Sequence, residues 1–305
     1  ADRIALPEGS ELLVVAADWP EVDVSGLPTR VTGRFVPRLL RPHLQGDLSA
    51  VGTAPGGAEV PGRLRLDGLL LEGDVTILVG NLAALTLADC AMVAGAGSLH
   101  VNPSAALGKT NGLLRVRLER TVCRPVTLPD TVPVLSVSDS AVDGAGGQAI
   151  DAAGAACSIE SSTILGAAEV RSLDASNTIF TSAVTAERRQ AGCVRFSFVP
   201  RDPATRTPRR HRCQPDLALV GVEDPDEQDL IVDRIVPVFA STEHGQPAYL
   251  QLAGNCPPEI RTGAEDGSEM GVFRHLLQPH REANLRAALD EYLRFGLEAG
   301  IFFVT

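Results

Sequence analysis

Asp89, Asp139 and Asp143 are the carboxylates whose positions could do chemistry. Asp89 closes the alternating segment "LTLAD" and Asp139 closes "LSVSD". Two carboxylates aimed at one glycosidic bond supply the acid and the base or nucleophile of glycoside cleavage. Arg120 occupies the same post-segment position between the two aspartates, so opposite charges alternate along the series. That alternation fits a structural ion-pair ladder better than a catalytic pair. Asp143 falls in the Gly-rich "DGAGG", where Asp is a turn former in its own right. No catalytic residue is assigned on these grounds. Asp89, Asp139 and Asp143 form the acid/base set of an alternative, enzymatic reading.

Other motifs carry less. "GKT" at 108–110 echoes the end of a phosphate-binding loop, but Pro103 stands where the loop requires Gly, so the stretch reads as a turn. The six histidines and six cysteines are scattered, without CxxC or zinc-site spacing, and no metal or cofactor is expected. The cysteines read as reduced, buried small hydrophobes, with a Cys193–Cys213 disulfide as an open alternative. Arginine is concentrated between 188 and 212: Arg188, Arg189, Arg195, Arg201, Arg206, Arg209, Arg210 and Arg212. Of these, Arg188, Arg189, Arg206, Arg209, Arg210 and Arg212 are the candidates for contact with an acidic partner, a carboxylate-bearing glycan or a phosphate. The plainer reading is a solvated loop paired with the chain's own acids, such as "EDPDEQD" at 223–229.

The elements that position these residues repeat. A template with apolar residues at positions 1 and 3, a turn former at 5 and an apolar residue at 8 starts at 64, 85, 116, 135, 157 and 173. Period-2 alternation means strand. The turn formers are Gly68, Asp89, Arg120, Asp139, Ser161 and Asn177. Such a unit cannot bury its apolar face alone, whereas stacked coils bury it continuously. The expected fold is mainly β: a right-handed parallel β-helix with a smaller C-terminal α+β region. The division expected is 1–42 as an N-terminal strand or cap segment, 43–200 as the β-helix and 201–305 as the α+β region. Within the last, "PRDPATRTPRRHRCQPD" reads as a linker, 230–242 as a strand, 278–296 as a helix and 301–305 as a strand. Pro279 suits the first turn of that helix, Gly296 its stop, and Leu285, Leu289, Tyr292 and Leu293 make one apolar face; the region would dock on the coil or cap its open end.

Composition bounds the function classes. The net charge of −11 argues against nucleic-acid binding and against anionic membranes, and no apolar run reaches bilayer length. Aromatics are 4 %, which weighs against sugar stacking. The chain opens without Met or a secretory leader, as expected of a cytoplasmic protein or of a piece of a longer one.

Four stretches together resemble a bacterial β-helix-repeat family encoded with phage-tail-like genes of contractile injection systems. They are "RFVPRLLRPHLQGDLSAVGTAPGG", "RSLDASNTIFTS…ERRQAGCVRFSFVP", "RTPRRHRCQPDLAL" and "EDGSEMGVFRHLLQPHREANLRAALDEYLRFGLEAGIFFVT". The resemblance implies a non-enzymatic structural or attachment role in a tail-like particle, assembled in the cytoplasm and released outside the cell. Partners would be other particle subunits and a surface glycan, with homo-oligomerisation (trimers, by analogy with tailspikes) plausible. It carries no catalytic residues. The alternatives are a glycoside hydrolase or lyase and a carbohydrate-binding module.

Overall fold

The computed structural model describes residues 3–17, 21–30, 42–298 and 300, apart from 94, 96, 106 and 107. It is a parallel β-helix carrying a small, mainly helical C-terminal region. Twenty strands form one continuous sheet whose strand pairings are all parallel. A separate antiparallel hairpin, Glu21–Val24 with Leu27–Arg30, stands apart from it.

Each coil has three short faces. One coil runs Gly62–Asp67, Leu70–Glu72 and Val75–Ile77; the next runs Leu82–Ala88, Ala91–Met92 and Leu99–Val101, each strand above its equivalent. The template positions stack in one register: Leu64, Leu85, Val116, Leu135, Cys157 and Leu173 lie directly over one another. Alternation turns these residues inward, and they are buried. A second inward column, Leu66, Leu87, Leu118, Val137 and Ile159, completes the core of that face.

The sheet extends beyond the expected repeat at both ends. Arg3–Leu6 pairs with Leu48–Gly52, and Glu11–Val15 with Gly62–Asp67, so residues before 43 build the first coil. At the other end, His211–Gln214 pairs with Gly192–Phe198 inside the stretch expected as a linker.

The C-terminal region departs from expectation in two places. Residues 225–234 form a helix, α1 (Pro225–Arg234), where a strand is expected from residue 230. Asp224 caps it by accepting from the Asp226 N–H at 3.0 Å, Pro225 occupies its first turn, and Asp226 and Glu227 face its dipole. These start signals outweigh the β-branched content of "LIVDRIV". After α2 (Pro258–Arg261), α3 (Gln278–Tyr292) forms as expected with Pro279 in its first turn, ending four residues early. No residue of α3 is buried: Leu285 is exposed and Tyr292 is 81 % exposed. The strand expected at 301–305 lies outside the described residues.

The region docks on the flank of the coils and leaves the end open. Ile235, Cys256, Ile260 and Met270 pack with Ile179 and Phe198 of the coils, and Tyr249 and Leu250 pack with Ala141. The last rung, His211–Gln214, has a strand partner on one side only among the described residues.

Candidate functional site

The turn residues after each coil's first strand share one backbone state. Gly68, Asp89, Arg120, Asp139, Ser161 and Asn177 have φ of 75°, 51°, 47°, 47°, 48° and 54°. Asp and Asn adopt this left-handed state comparatively easily, whereas Arg120 and Ser161 hold it at a cost of roughly 1–2 kcal/mol each. The turn therefore selects residue types for backbone reasons, which removes much of the chemical meaning from the ridge.

Two of its three charges are engaged with each other. Arg120 donates to both oxygens of Asp89, at 2.8 and 2.7 Å, across one coil step. That hydrogen bond first, and the fields of Asp89, Glu119 and Asp139 after it, hold the guanidinium more firmly protonated. Asp89 and Asp139 stand two rungs apart, roughly 9.6 Å of backbone, with Arg120 between them. Further along, the ridge is covered: Arg274 donates to the Ser161 hydroxyl at 3.3 Å, and Asn177 accepts from Glu265 N–H at 2.8 Å.

Asp143 is not on this ridge and does not meet the other two aspartates there. It lies on the second face, where Arg124 reaches it at 2.8 Å and Tyr249 donates its hydroxyl to the same oxygen at 3.3 Å. The other oxygen accepts the Ala145 N–H at 2.8 Å. The His244 ring sits 5.1 Å from that of Tyr249. Burial, with Asp143 adding to it, pushes the Tyr249 hydroxyl well above its usual pKa, and burial lowers that of His244. This polar seam joins the C-terminal region to the coils.

The sequence reading missed a ladder immediately beside the ridge. After Leu69, which follows the first turn, the residue after each later turn is Cys90, Thr121, Ser140, Ser162, Thr178 or, in the last full coil, Ser197, and all are buried. The Thr121, Ser140 and Thr178 N–H groups donate to the hydroxyls of Ser140, Ser162 and Ser197 one coil on, at 3.0, 3.2 and 3.1 Å. Each hydroxyl donates back to the carbonyl two residues earlier, at 2.6–2.9 Å. The dipeptides "DC", "RT", "DS", "SS" and "NT" contain the signal, visible once the turns are aligned.

The arginine candidates lie on the last coils. Arg188, Arg189, Arg206, Arg209, Arg210 and Arg212 are exposed. None pairs with 223–229, which instead starts α1. Arg201 pairs with Asp216 at 2.9 Å, Arg189 donates to the Thr207 carbonyl at 2.9 Å, and Arg206 donates to Pro203 and Thr205 carbonyls. A second basic feature lies on the first face. Arg63 and Arg115 flank Ala84, and Arg65 and Arg117 flank Thr86, lining a groove of about 490 Å³ together with Glu11 and Glu59. Arg65 is bound to Asp67 at 3.0 Å and faces Glu119 at 3.6 Å.

All six cysteines are free. The Cys193–Cys213 disulfide does not form, because Cys213 is buried with its thiol donating to the Val194 carbonyl at 3.4 Å, while Cys193 stacks on the solvent-side Asp174. Burial pushes the Cys123, Cys157 and Cys213 thiols up to about 12, so none is a ready nucleophile. Among the described residues, no group of three or more His, Cys, Asp or Glu could hold a metal ion, and no helix is long and apolar enough to cross a membrane. No family model matches the chain, and no match was found among curated proteins or solved structures.

Proposed function

We propose that the protein is a non-enzymatic structural or attachment component of a phage-tail-like particle. In this reading the β-helix is a rigid spacer, and the arginine-rich last coils with the flank-docked helical region contact other subunits. One observation carries the non-enzymatic part: Asp89 and Asp143, two of the three candidate acids, are already engaged, the first by Arg120 at the surface and the second by Arg124 and Tyr249 in the seam that joins the two regions. The assignment to a particle rests on the family resemblance alone. Affinity capture of the tagged chain from its source cells, with mass spectrometry of the captured proteins, tests it. Sheath, tube or baseplate proteins should be recovered, and their loss with Arg206, Arg209, Arg210 and Arg212 changed to Ser would place the contact at the end of the stack. Recovery of the chain alone would overturn the reading.

The groove at Arg63, Arg65, Arg115 and Arg117 favours a second reading, an acidic-glycan-binding module. Its outer pairs stand two rungs, roughly 9.6 Å, apart, so anionic groups at intervals along a linear chain could meet both. The lining has no aromatic residue for base stacking, which argues against nucleic acid. Titration with polygalacturonate separates the readings. Binding lost in R63S/R115S without shortening of the polymer supports the module, and shortening would support an enzyme.

A further inference from the structure

Glu269 is 5 % exposed, in the loop between α2 and the turn at Arg274–Leu276. Among the described residues its carboxylate has neither a hydrogen bond nor an ion pair. It lines a cavity of about 320 Å³ whose wall alternates apolar Leu252, Ala253 and Leu276 with Gln251 and Gln278. Arg261 is also in the wall, but its guanidinium is engaged, donating to Glu282 at 2.8 Å and to the Gly254 carbonyl at 3.1 Å. Glu282 takes a further hydrogen bond from Arg286 at 2.6 Å. The one charge in the cavity left without a contacting partner is therefore Glu269.

A carboxylate mostly withdrawn from water without a donor is costly, even though the Glu269 oxygens still touch the solvent of the cavity. A proton or a bound cation relieves it, and burial does push the Glu269 carboxyl up to about 7. A divalent metal would need further free carboxylates, and Glu282 is occupied. An ammonium group needs one carboxylate and two further acceptors; Glu269 supplies the first, and Gln251 and Gln278, which line the same cavity, carry amide oxygens of the right kind. The apolar wall suits a short alkyl chain, and the volume lies at the small end of ligand cavities.

We propose that this cavity binds a small aliphatic primary amine, its ammonium on Glu269 and its alkyl chain along Leu252, Ala253 and Leu276. The site is independent of the β-helix face and of the particle reading. Calorimetric titration with n-butylamine and cadaverine, at about pH 8 where carboxylate and ammonium coexist, tests it, with n-butanol and butyrate as controls. Both amines are expected to bind and neither control should. Glu269→Gln keeps the shape and should weaken the amines by roughly tenfold or more. Ala253→Leu fills the cavity without touching a charge and should abolish binding while unfolding with the same cooperativity as the parent. Butanol binding as well as butylamine, full affinity in either variant, or no heat from any amine would each overturn the proposal.

Discussion

Arg124 and Asp143 lie 2.8 Å apart with side chains only 12 % and 14 % exposed, and Tyr249, 106 residues along the chain, donates to the same carboxylate oxygen. The pair ties one coil to the next, and the tyrosine ties both to the C-terminal region. Asp143→Asn would leave the Arg124 charge buried without its counter-ion. Breaking such a pair costs about 3–5 kcal/mol. Urea unfolding should show the loss, together with faster proteolysis after residue 215. A catalytic Asp143 would show the opposite pattern, with stability kept and polysaccharide cleavage lost.

Asp89→Asn contrasts with it. The Asp89–Arg120 pair is about half exposed on both sides. Exposed pairs contribute about 1 kcal/mol or less and weaken with salt. The variant should match the parent within that margin in urea, and any difference should shrink as salt is added.

Ser140→Ala addresses the hydroxyl ladder. The Thr121 N–H would lose its 3.0 Å acceptor in a buried place, and the cost should be about 1–3 kcal/mol. Ser140→Cys should cost less, because Cys90 already fills the equivalent position with its thiol donating to the Ala88 carbonyl at 3.1 Å. Hydrogen exchange at Thr121 reads the effect directly: its amide should exchange faster in the alanine variant and stay protected in the cysteine variant.

Gly271 is packed directly against the coils. Its φ is 96°, its N–H donates to the Asn177 carbonyl at 2.8 Å, and an added Cβ would lie 2.8 Å from the Thr163 hydroxyl. Gly271→Ala should loosen docking while leaving the coils folded. Exchange protection should fall across 256–276 and persist across 134–176. Uniform loss over both stretches would show that the two parts unfold as one unit.

What could be read in advance follows from periodicity. Leu64, Leu85, Val116, Leu135, Cys157 and Leu173 recur at one phase because every coil must turn the same position inward, so architecture and register were both visible. The second face was visible in part, because the apolar eighth position of the template (Leu71, Met92, Cys123, Val142, Ile164 and Phe180) is its inward column. The third face was not, since strands such as Val126–Thr127 are two residues long and follow loops of varying length. Helix α1 was misread because Leu230, Ile231 and Val232 favour a strand locally, while the decision was made upstream at Asp224 and Pro225. The Arg124–Asp143–Tyr249 seam has no local signature, because its members meet only once the coils stack and the C-terminal region folds back. Glu269 sits in "EDGSEMG", which reads as a solvated turn, and only the fold buries it.

That burial has a consequence for stability against pH. The Glu269 carboxyl rises from 4.5 to about 7 because desolvation penalises its charged form, with Arg261 opposing more weakly. The folded chain therefore holds this proton more tightly than the unfolded chain. The resulting stabilisation is complete below about pH 4.5 and declines as pH rises towards 7, by roughly 3 kcal/mol at most. Neighbouring groups act elsewhere or in the opposite sense. Asp266, held down to about 2 by Ser268 and Arg274, loses its contribution only in strong acid, and Glu282, held down by Arg261 and Arg286, follows the same sign. His244, whose pKa burial lowers, acts in the opposite sense over the same range in both proteins, so the reading is the difference between them: in urea, Glu269→Gln should gain on the parent from about pH 5 to about pH 8 and be the more stable protein at the higher pH. Parallel profiles would mean that Glu269 is solvated in the folded chain, and would remove the unpaired carboxylate on which amine binding depends.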